Sequence, residues 1–289
     1  MPNYLTTKEV AELLRIKERK VYDLASTGAL PCSRAMGKLL FAEQDVHAWL
    51  AGNRGETSAP ERKTRPSIFL GSHDPLLDWA LRESGCGIAT YFDGSLDGLR
   101  RFSAGEGIAT GLHVFDPDGG AWNTGAASAH CRGEDAVLVR WAKRMRGLIV
   151  SKDLERAVTG LADLDGLRLV SRQPDAGAQK LLDYLASEAG LDLGGPGLVA
   201  RSEADAVLAV LEGKADVAFG LEALAAPQGL RCIPVIEEEF GLLAGRIAWF
   251  DPPWQAFWQF CQSGKFAERA AELKGYDVSG MGEVVLNGP

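Results

Sequence analysis

The sequence has 289 residues, 46% hydrophobic and 24% charged, with Lys+Arg 31 against Asp+Glu 39 for a formal net charge of -8. So large an apolar fraction excludes a disordered chain, and the length suits more than one folded unit. No apolar run approaches a membrane span, and Met1-Pro2-Asn3-Tyr4 leads into a polar helical pattern without the basic and apolar regions of a secretion signal, so the sequence reads as cytoplasmic, with no membrane partner.

The five cysteines (Cys32, Cys86, Cys131, Cys232, Cys261) are odd in number, scattered and never in a CxxC arrangement, which argues against a disulfide framework and a structural zinc site. Residues 1–65 carry 11 Lys+Arg against 8 Asp+Glu, a net +3, and the remainder carries 20 against 31, a net -11. A small basic unit precedes a larger acidic one, and a polyanion is steered to the first.

In chain order, Thr6-Thr7-Lys8-Glu9 is a capping box that opens a helix with Val10, Leu13 and Leu14 on its apolar face. After Arg15-Ile16-Lys17 a second helix, 18–26, turns Val21, Leu24 and Ala25 inward and ends at Thr27-Gly28. Two short strands, 30–34 and 38–41, flank Ala35-Met36-Gly37, and a third helix, 43–51, carries Val46, Trp49 and Leu50. Residues 53–66 are polar, hold Gly and Pro and have no periodicity, which predicts a linker between a 1–52 domain and a 67–289 domain.

From Ser67 short β-rich runs alternate with amphipathic helices. Strands are expected at 68–71, 87–92, 108–115, 136–141, 147–150, 167–170, 215–219 and 232–236. Helices are expected at 75–84, 96–103, 178–188, 203–212 and 253–273, the last broken at Ser263-Gly264. This alternation predicts parallel sheets with ligands beyond the carboxyl ends of the strands. The stretch is long for one sheet, so two lobes are expected, lobe I from about 67–148 and 236–289 and lobe II from about 149–235. The fold class is therefore α/β, an N-terminal winged helix-turn-helix followed by a two-lobed domain.

Two short helices joined by a tight turn, then a hairpin and another helix, place the second helix in the major groove of double-stranded DNA and the hairpin on the backbone. Lys17, Arg19, Lys20 and Tyr22 then face bases and phosphates, and Arg34 and Lys38 grip phosphate from the wing. The run Leu5-Thr6-Thr7-Lys8-Glu9-Val10-Ala11-Glu12-Leu13-Leu14, with Val21-Tyr22-Asp23-Leu24, Gly28-Ala29-Leu30-Pro31, Gly37-Lys38, Phe41 and Asp45-Val46-His47-Ala48-Trp49-Leu50, resembles the excisionase-like, MerR-related winged helix-turn-helix family. A domain this small binds DNA weakly alone, so a homodimer is expected.

In the larger unit, Gly71-Ser72-His73-Asp74-Pro75 and Gly94-Ser95-Leu96-Asp97-Gly98-Leu99 each end a strand and open a helix, and Gly111-Leu112-His113 ends a third strand. Free N–H groups and hydroxyls at such helix starts suit a small polar ligand. These stretches, with Arg144 through Gly147-Leu148-Ile149-Val150, Ser171-Arg172-Gln173, Gln179-Lys180-Leu181-Leu182-Asp183, Ala215-Asp216-Val217-Ala218-Phe219-Gly220 and Gly275-Tyr276-Asp277, resemble the type II periplasmic-binding-protein-like domain found in bacterial regulators and beside molybdenum-cofactor proteins, related to molybdate and tungstate binding proteins.

The resemblance implies a cleft lined by Ser72, Ser95 and the helix start at Gly177, with His73, Asp74, His113 and Arg172 close by and Arg144 and Arg146 near the hinge. One departure stands out. Where the family has a Gly-Ser-Gly-Thr-Arg type of helix start, this chain has Pro174-Asp175-Ala176-Gly177-Ala178-Gln179. If Asp175 caps that helix it still brings a negative charge to the anion site, which opposes an oxyanion and favours an organic molecule with an amine or hydroxyls.

Four dispersed histidines and the lack of GxSxG, HExxH or phosphate-loop motifs point to no enzyme, no catalytic residues, no metal and no cofactor. The reading is a one-component transcriptional regulator in which a small polar effector, an oxyanion with molybdate or tungstate as leading candidate or else a small polar metabolite, closes two lobes and repositions paired DNA-binding heads. The competing class is a molybdenum-related enzyme or solute-binding accessory protein whose N-terminal domain docks a protein partner.

Overall fold

A computed structural model describes residues 4–35, 37–52, 65–195 and 197–288. Residues 53–64 of the expected linker lie outside them. The chain divides into two units, Met1–Thr64 and Arg65–Pro289.

The first unit runs β1 (Tyr4–Thr6), α1 (Thr7–Leu14), α2 (Glu18–Ser26), β2 (Ser33–Ala35), β3 (Lys38–Ala42) and α3 (Glu43–Gly52). The capping box forms: Glu9 N donates to Thr6 Oγ1 at 3.4 Å and Thr6 N donates to Glu9 Oε2 at 2.7 Å. Arg15, at φ 52°, ends α1 in the left-handed conformation. β1 is an addition that no alternation announces. It pairs antiparallel with β3, Leu5 opposite Phe41, and turns the expected hairpin into a three-stranded sheet of order β1-β3-β2. The expected strand 30–34 begins only at Ser33, because Leu30 N is used by Leu24 O and Pro31 has no N–H to pair. Val10, Val21, Leu30, Phe41 and Val46 are fully buried and form the core.

The second unit continues β4 (Ile68–Gly71), α4 (Pro75–Glu83), β5 (Ala89–Phe92), α5 (Ser95–Ser103), β6 (Ala109–Leu112), β7 (Phe115–Asp116), β8 (Ala121–Trp122), α6 (Thr124–His130), β9 (Ala136–Val150), β10 (Leu169–Arg172), α7 (Gly177–Glu188), β11 (Val199–Ala200), α8 (Glu203–Leu211), β12 (Val217–Leu221), α9 (Glu222–Ala225), β13 (Arg231–Gly245), α10 (Arg246–Trp249), α11 (Pro252–Cys261), α12 (Gly264–Glu272), β14 (Tyr276–Asp277) and β15 (Val284–Asn287). The main strand order is β11-β10-β12-β9-β13-β6-β4-β5.

Two corrections to the sequence reading define the architecture. Residues 136–141 and 147–150 are not two strands but one of 15 residues, β9, and β13 runs nine residues past the expected end at Ile236. The polar segment between the two expected strands looks like a break, yet Arg144 and Arg146 point to one face and are buried with carboxylate partners. The sheet is also mixed rather than parallel. β4 is parallel to β5 and β6, and β10 to β11 and β12, but β9 and β13 are antiparallel to each other and to β12 and β6. β9 and β13 thus pass through both lobes and join them. β13 has register irregularities at Pro234/Ile236 and Phe240/Gly241, on either side of Glu237–Glu239.

Lobe I packs Phe69, Trp141, Phe240, Trp254 and Phe257, all fully buried, with Trp254 stacked on Phe69. Trp249 and Trp258 pack, partly buried, against this core, and the helix break expected at Ser263-Gly264 is present, Ser263 Oγ accepting from Phe266 N. Lobe II packs Ile149, Val207, Val210 and Ala218 on one face of its sheet and Leu181, Val217 and Phe219 on the other. Among the described residues no helix is long and apolar enough to cross a membrane.

Candidate functional site

In the first unit α2 turns Val21 inward and its basic residues outward. Val21 is buried while Arg19, Lys20 and Tyr22 on α2, Lys17 at its N-cap, Arg34 on β2 and Lys38 on β3 are all exposed.

In the second unit the carboxyl ends of β4, β5 and β6 meet the starts of α7 and α8 from lobe II. The expected strand 108–115 stops at Leu112 because His113 N donates to Ser95 Oγ at 3.1 Å rather than to a strand. Ser95 Oγ is also 2.8 Å from Ser72 Oγ, so the two hydroxyls sit side by side, both buried. Gly177 faces them so closely that a Cβ there would lie 2.5 Å from His113 O and 3.1 Å from Ser95 Oγ. Ser72, Ser95, His113 and Gly177, expected to share a cleft, are thus brought together. A cavity of about 30 Å³ remains, lined by Ser72, His73, His113, Arg172, Ser202 and Glu203 among others. That is room for about one water molecule.

Pairs from opposite lobes close the rim. Arg100 Nη2 donates to Asp175 Oδ2 at 2.9 Å, Arg201 Nη2 to Asp93 Oδ1 at 2.8 Å, and Gln173 Nε2 to Asp93 O at 3.3 Å. Asp175 therefore does not cap α7. Its N-cap is Ala176, which offers no side-chain acceptor, and the half-exposed Asp175 carboxylate is matched by Arg100 outside the cavity. The Asp175 charge is thus compensated by Arg100, and no side chain caps the start of α7.

Asp74 and Arg144 stand behind the cleft, Asp74 directly after Ser72 and His73 and Arg144 on the strand shared by the two lobes. Asp74, fully buried, caps α4 through Leu77 N at 2.7 Å and accepts from Trp141 Nε1, Arg144 Nη1 and Tyr276 Oη. Arg144 bridges Asp74 to Glu238, Arg146 bridges Glu238 to Glu203, and Glu203 reaches Arg172 Nη1 at 3.1 Å.

Burial alone would raise the Glu203 carboxyl, but Arg146 and Arg172 outweigh it and hold it at about 2. Burial would also raise Glu238, which Arg144 and Arg146 bring well below the carboxylate range. Burial pushes the His113 imidazole below its ordinary range against the pull of Glu238, so the neutral ring donates its Nδ1–H to that carboxylate at 3.0 Å. His73 lines the cavity edge-on to Phe92, and its Nδ1 is buried with no partner among the described residues.

Glu203, Glu238, Arg201 and Asp93 escape a reading of local motifs. The available signal is long-range: the basic run Lys143-Arg144-Met145-Arg146 lies antiparallel to the acidic run Glu237-Glu238-Glu239, with Arg144 opposite Glu238 and Lys143 opposite Glu239.

Comparison with known proteins agrees with this geometry. Residues 79–262 match the PBP superfamily domain and residues 4–54 a helix-turn-helix domain. The chain belongs to the PBP superfamily. It is 25% identical over 301 residues, 97% of each chain, to the uncharacterized protein YvgK of Bacillus subtilis (strain 168). Among solved structures it is similar to a Clostridium perfringens protein assigned to phosphate ABC transport substrate binding, solved with bound phosphate, at 12% identity and a TM-score of 0.55 over 73% of this chain and 99% of that one. It is also similar to PhnD1 of Prochlorococcus marinus (MIT 9301) in complex with methylphosphonate, at 11% identity and a TM-score of 0.49 over 74% and 93%. The first of these likenesses shows a two-lobed fold. Both domains are of non-enzymatic kinds.

Proposed function

We propose that this member of the PBP superfamily is a cytoplasmic transcriptional regulator that binds operator DNA as a homodimer and changes its DNA affinity when a small polar effector enters the cleft. One observation carries the reading: a single chain joins a helix-turn-helix domain with an exposed basic second helix to a two-lobed solute-binding fold. Lys17, Arg19, Lys20 and Tyr22 read the major groove, and Arg34 and Lys38 hold the backbone. The effector is held by Ser72, Ser95, His73 and the start of α7 at Gly177, with Arg172 beside it, and His113 and Asp175 hold the walls in place.

An oxyanion is the leading effector, molybdate or tungstate first. The paired hydroxyls and the uncapped α7 N-terminus favour a negative group, and phosphate occupies the Clostridium perfringens relative of this fold. Because the cavity holds about one water, the lobes spread on entry by the width of the effector's head group.

The test is a gel shift on DNA upstream of the protein's own gene, with and without effector, paired with calorimetry against molybdate, tungstate and phosphate. A salt-dependent shift altered by one of these anions is expected, with Ser72→Ala and Ser95→Ala each weakening the anion by about 1–3 kcal/mol. No DNA binding at low salt would refute the reading. Heat with a neutral or amine-bearing metabolite alone would replace the oxyanion by an organic effector.

A further inference from the structure

Behind the cleft six charged side chains alternate in sign from one lobe to the other, and the last two of them, Glu203 and Arg172, reach its cavity. Asp74 belongs to lobe I, directly after Ser72 and His73. Arg144, Arg146 and Glu238 belong to the segment where β9 and β13 cross between the lobes, and Glu203 and Arg172 belong to lobe II. The bonds are continuous: Arg144 Nη1 to Asp74 Oδ2 at 2.8 Å, Arg144 Nη2 to Glu238 Oε1, Arg146 Nε to Glu238 Oε2 at 2.8 Å, Arg146 Nη2 to Glu203 Oε1 at 3.0 Å, and Arg172 Nη1 to the same Glu203 oxygen at 3.1 Å.

Three carboxylates balance three guanidiniums, and all but Arg172 are almost completely buried. A buried charge without its partner is strongly disfavoured, so the members stand or fall together. Each inner member is shared by two neighbours. Glu203 serves Arg146 and Arg172 at once, so its loss leaves two arginines short, whereas Arg172 is further held by Ala200 O and Arg201 O.

Two further facts tie this chain of charges to lobe movement. The stretch containing Glu238 lies between the two register irregularities of β13, where the strand departs from regular pairing with β9. The lobe II end of the chain, Arg172 with Glu203, lines the cleft cavity.

We infer that this chain of charges is the closure element of the two-lobed unit, with Glu203 its coupling residue. It ties lobe I to lobe II at the hinge, and an occupant of the cleft acts on it at the Arg172–Glu203 end. An anionic group competes with Glu203 for Arg172 and an ammonium competes with Arg172 for Glu203. Either exchange alters what Arg146 and Glu238 must balance at the crossing. Only this last step rests on the function proposed above, since the tie between the lobes is a property of the protein without effector.

The test uses the full chain with spin labels at Thr90→Cys in lobe I and Ser187→Cys in lobe II, both exposed positions, and with Cys32 and Cys232 replaced by serine. Pulsed electron-resonance distances are measured without effector. Glu203→Gln should lengthen the mean separation by more than about 2 Å and broaden it, Arg172→Gln should do so less, and the double variant should resemble Glu203→Gln alone. Lys214→Gln, which breaks an exposed pair within lobe II, should leave the separation unchanged. A Glu203→Gln protein that melts cooperatively and keeps the parental distance overturns the inference. Should Glu203→Gln not fold, Arg172→Gln at the edge of the chain decides by the same criterion. Failure to shift DNA overturns the regulator reading and leaves this result standing.

Discussion

Gly177 and Gly98 offer the same substitution with opposite expected outcomes. A Cβ on Gly98 would lie 2.3 Å from Gly71 Cα and 2.3 Å from Thr110 Oγ1, inside lobe I where α5 crosses β4 and β6. Nothing there can move without breaking the sheet. Overpacking of this kind costs about 3 kcal/mol, which lowers the melting temperature of a chain this size by about 6–12 °C. On Gly177 the obstacle is His113 O at 2.5 Å, across the cleft in the other lobe. Ordinary carbon–oxygen contacts begin near 3.3 Å, so a separation of the lobes by about 0.8 Å relieves the clash. The methyl meanwhile favours the helix by at most about 1 kcal/mol. Gly177→Ala should therefore melt within about 3 °C of the parent while its labelled lobes sit farther apart. Scanning calorimetry on the full chain reads the first quantity and the spin-label distance the second. If Gly177→Ala loses as much stability as Gly98→Ala, the meeting of α7 with Ser95 and His113 is part of a rigid core and not a seam that opens.

Other expectations follow from the same structure. Arg19→Ala with Lys20→Ala should lower DNA affinity and reduce the salt slope by about one unit per lost phosphate contact, with an unchanged melt, and equal affinity for a verified operator would remove α2 as the reader. Asp74→Ala takes one of Arg144's two carboxylates and the acceptor of Trp141 Nε1, Tyr276 Oη and Leu77 N, and should cost about 3–5 kcal/mol in urea unfolding; a loss under 1 kcal/mol would show that solvent reaches the site. Stability should fall with acid in two stages. Below pH 6.5 the unfolded chain protonates His113 before the folded one does, and below pH 4.5 it protonates Glu203 and Glu238, whose stabilisation is present above that pH and lost as pH falls toward about 2. Glu203→Gln should flatten the second stage of a pH series of melts.

Features legible in the sequence were those whose causes lie within a few residues. The Thr6–Glu9 box, the Asp74-Pro75 start and the Ser263 break are helix ends written in capping side chains, and each is present. Ser72 and Ser95 were readable for the same reason, as small residues where a strand gives way to a helix. What failed was set by distant partners. Lys143–Arg146 resembles a loop until Glu203 and Glu238 are placed against it, and only then can β9 bury two arginines and run on as one strand. Asp175 looks like a cap until Arg100, 75 residues away, claims its carboxylate.

The sharing of β9 and β13 by both lobes also orders their assembly during synthesis. Everything lobe II needs, from the end of β9 through β10 and β12 to the start of β13, has been made once Ile236 leaves the ribosome. Lobe I, though begun earlier, lacks its middle, since residues 241–244 of β13 lie between β6 and β9 in the sheet, and β15 must still cover Val137 to Val139. The first lobe in the sequence is the last completed, and its open strand edges are the part of the nascent chain most exposed to misassembly.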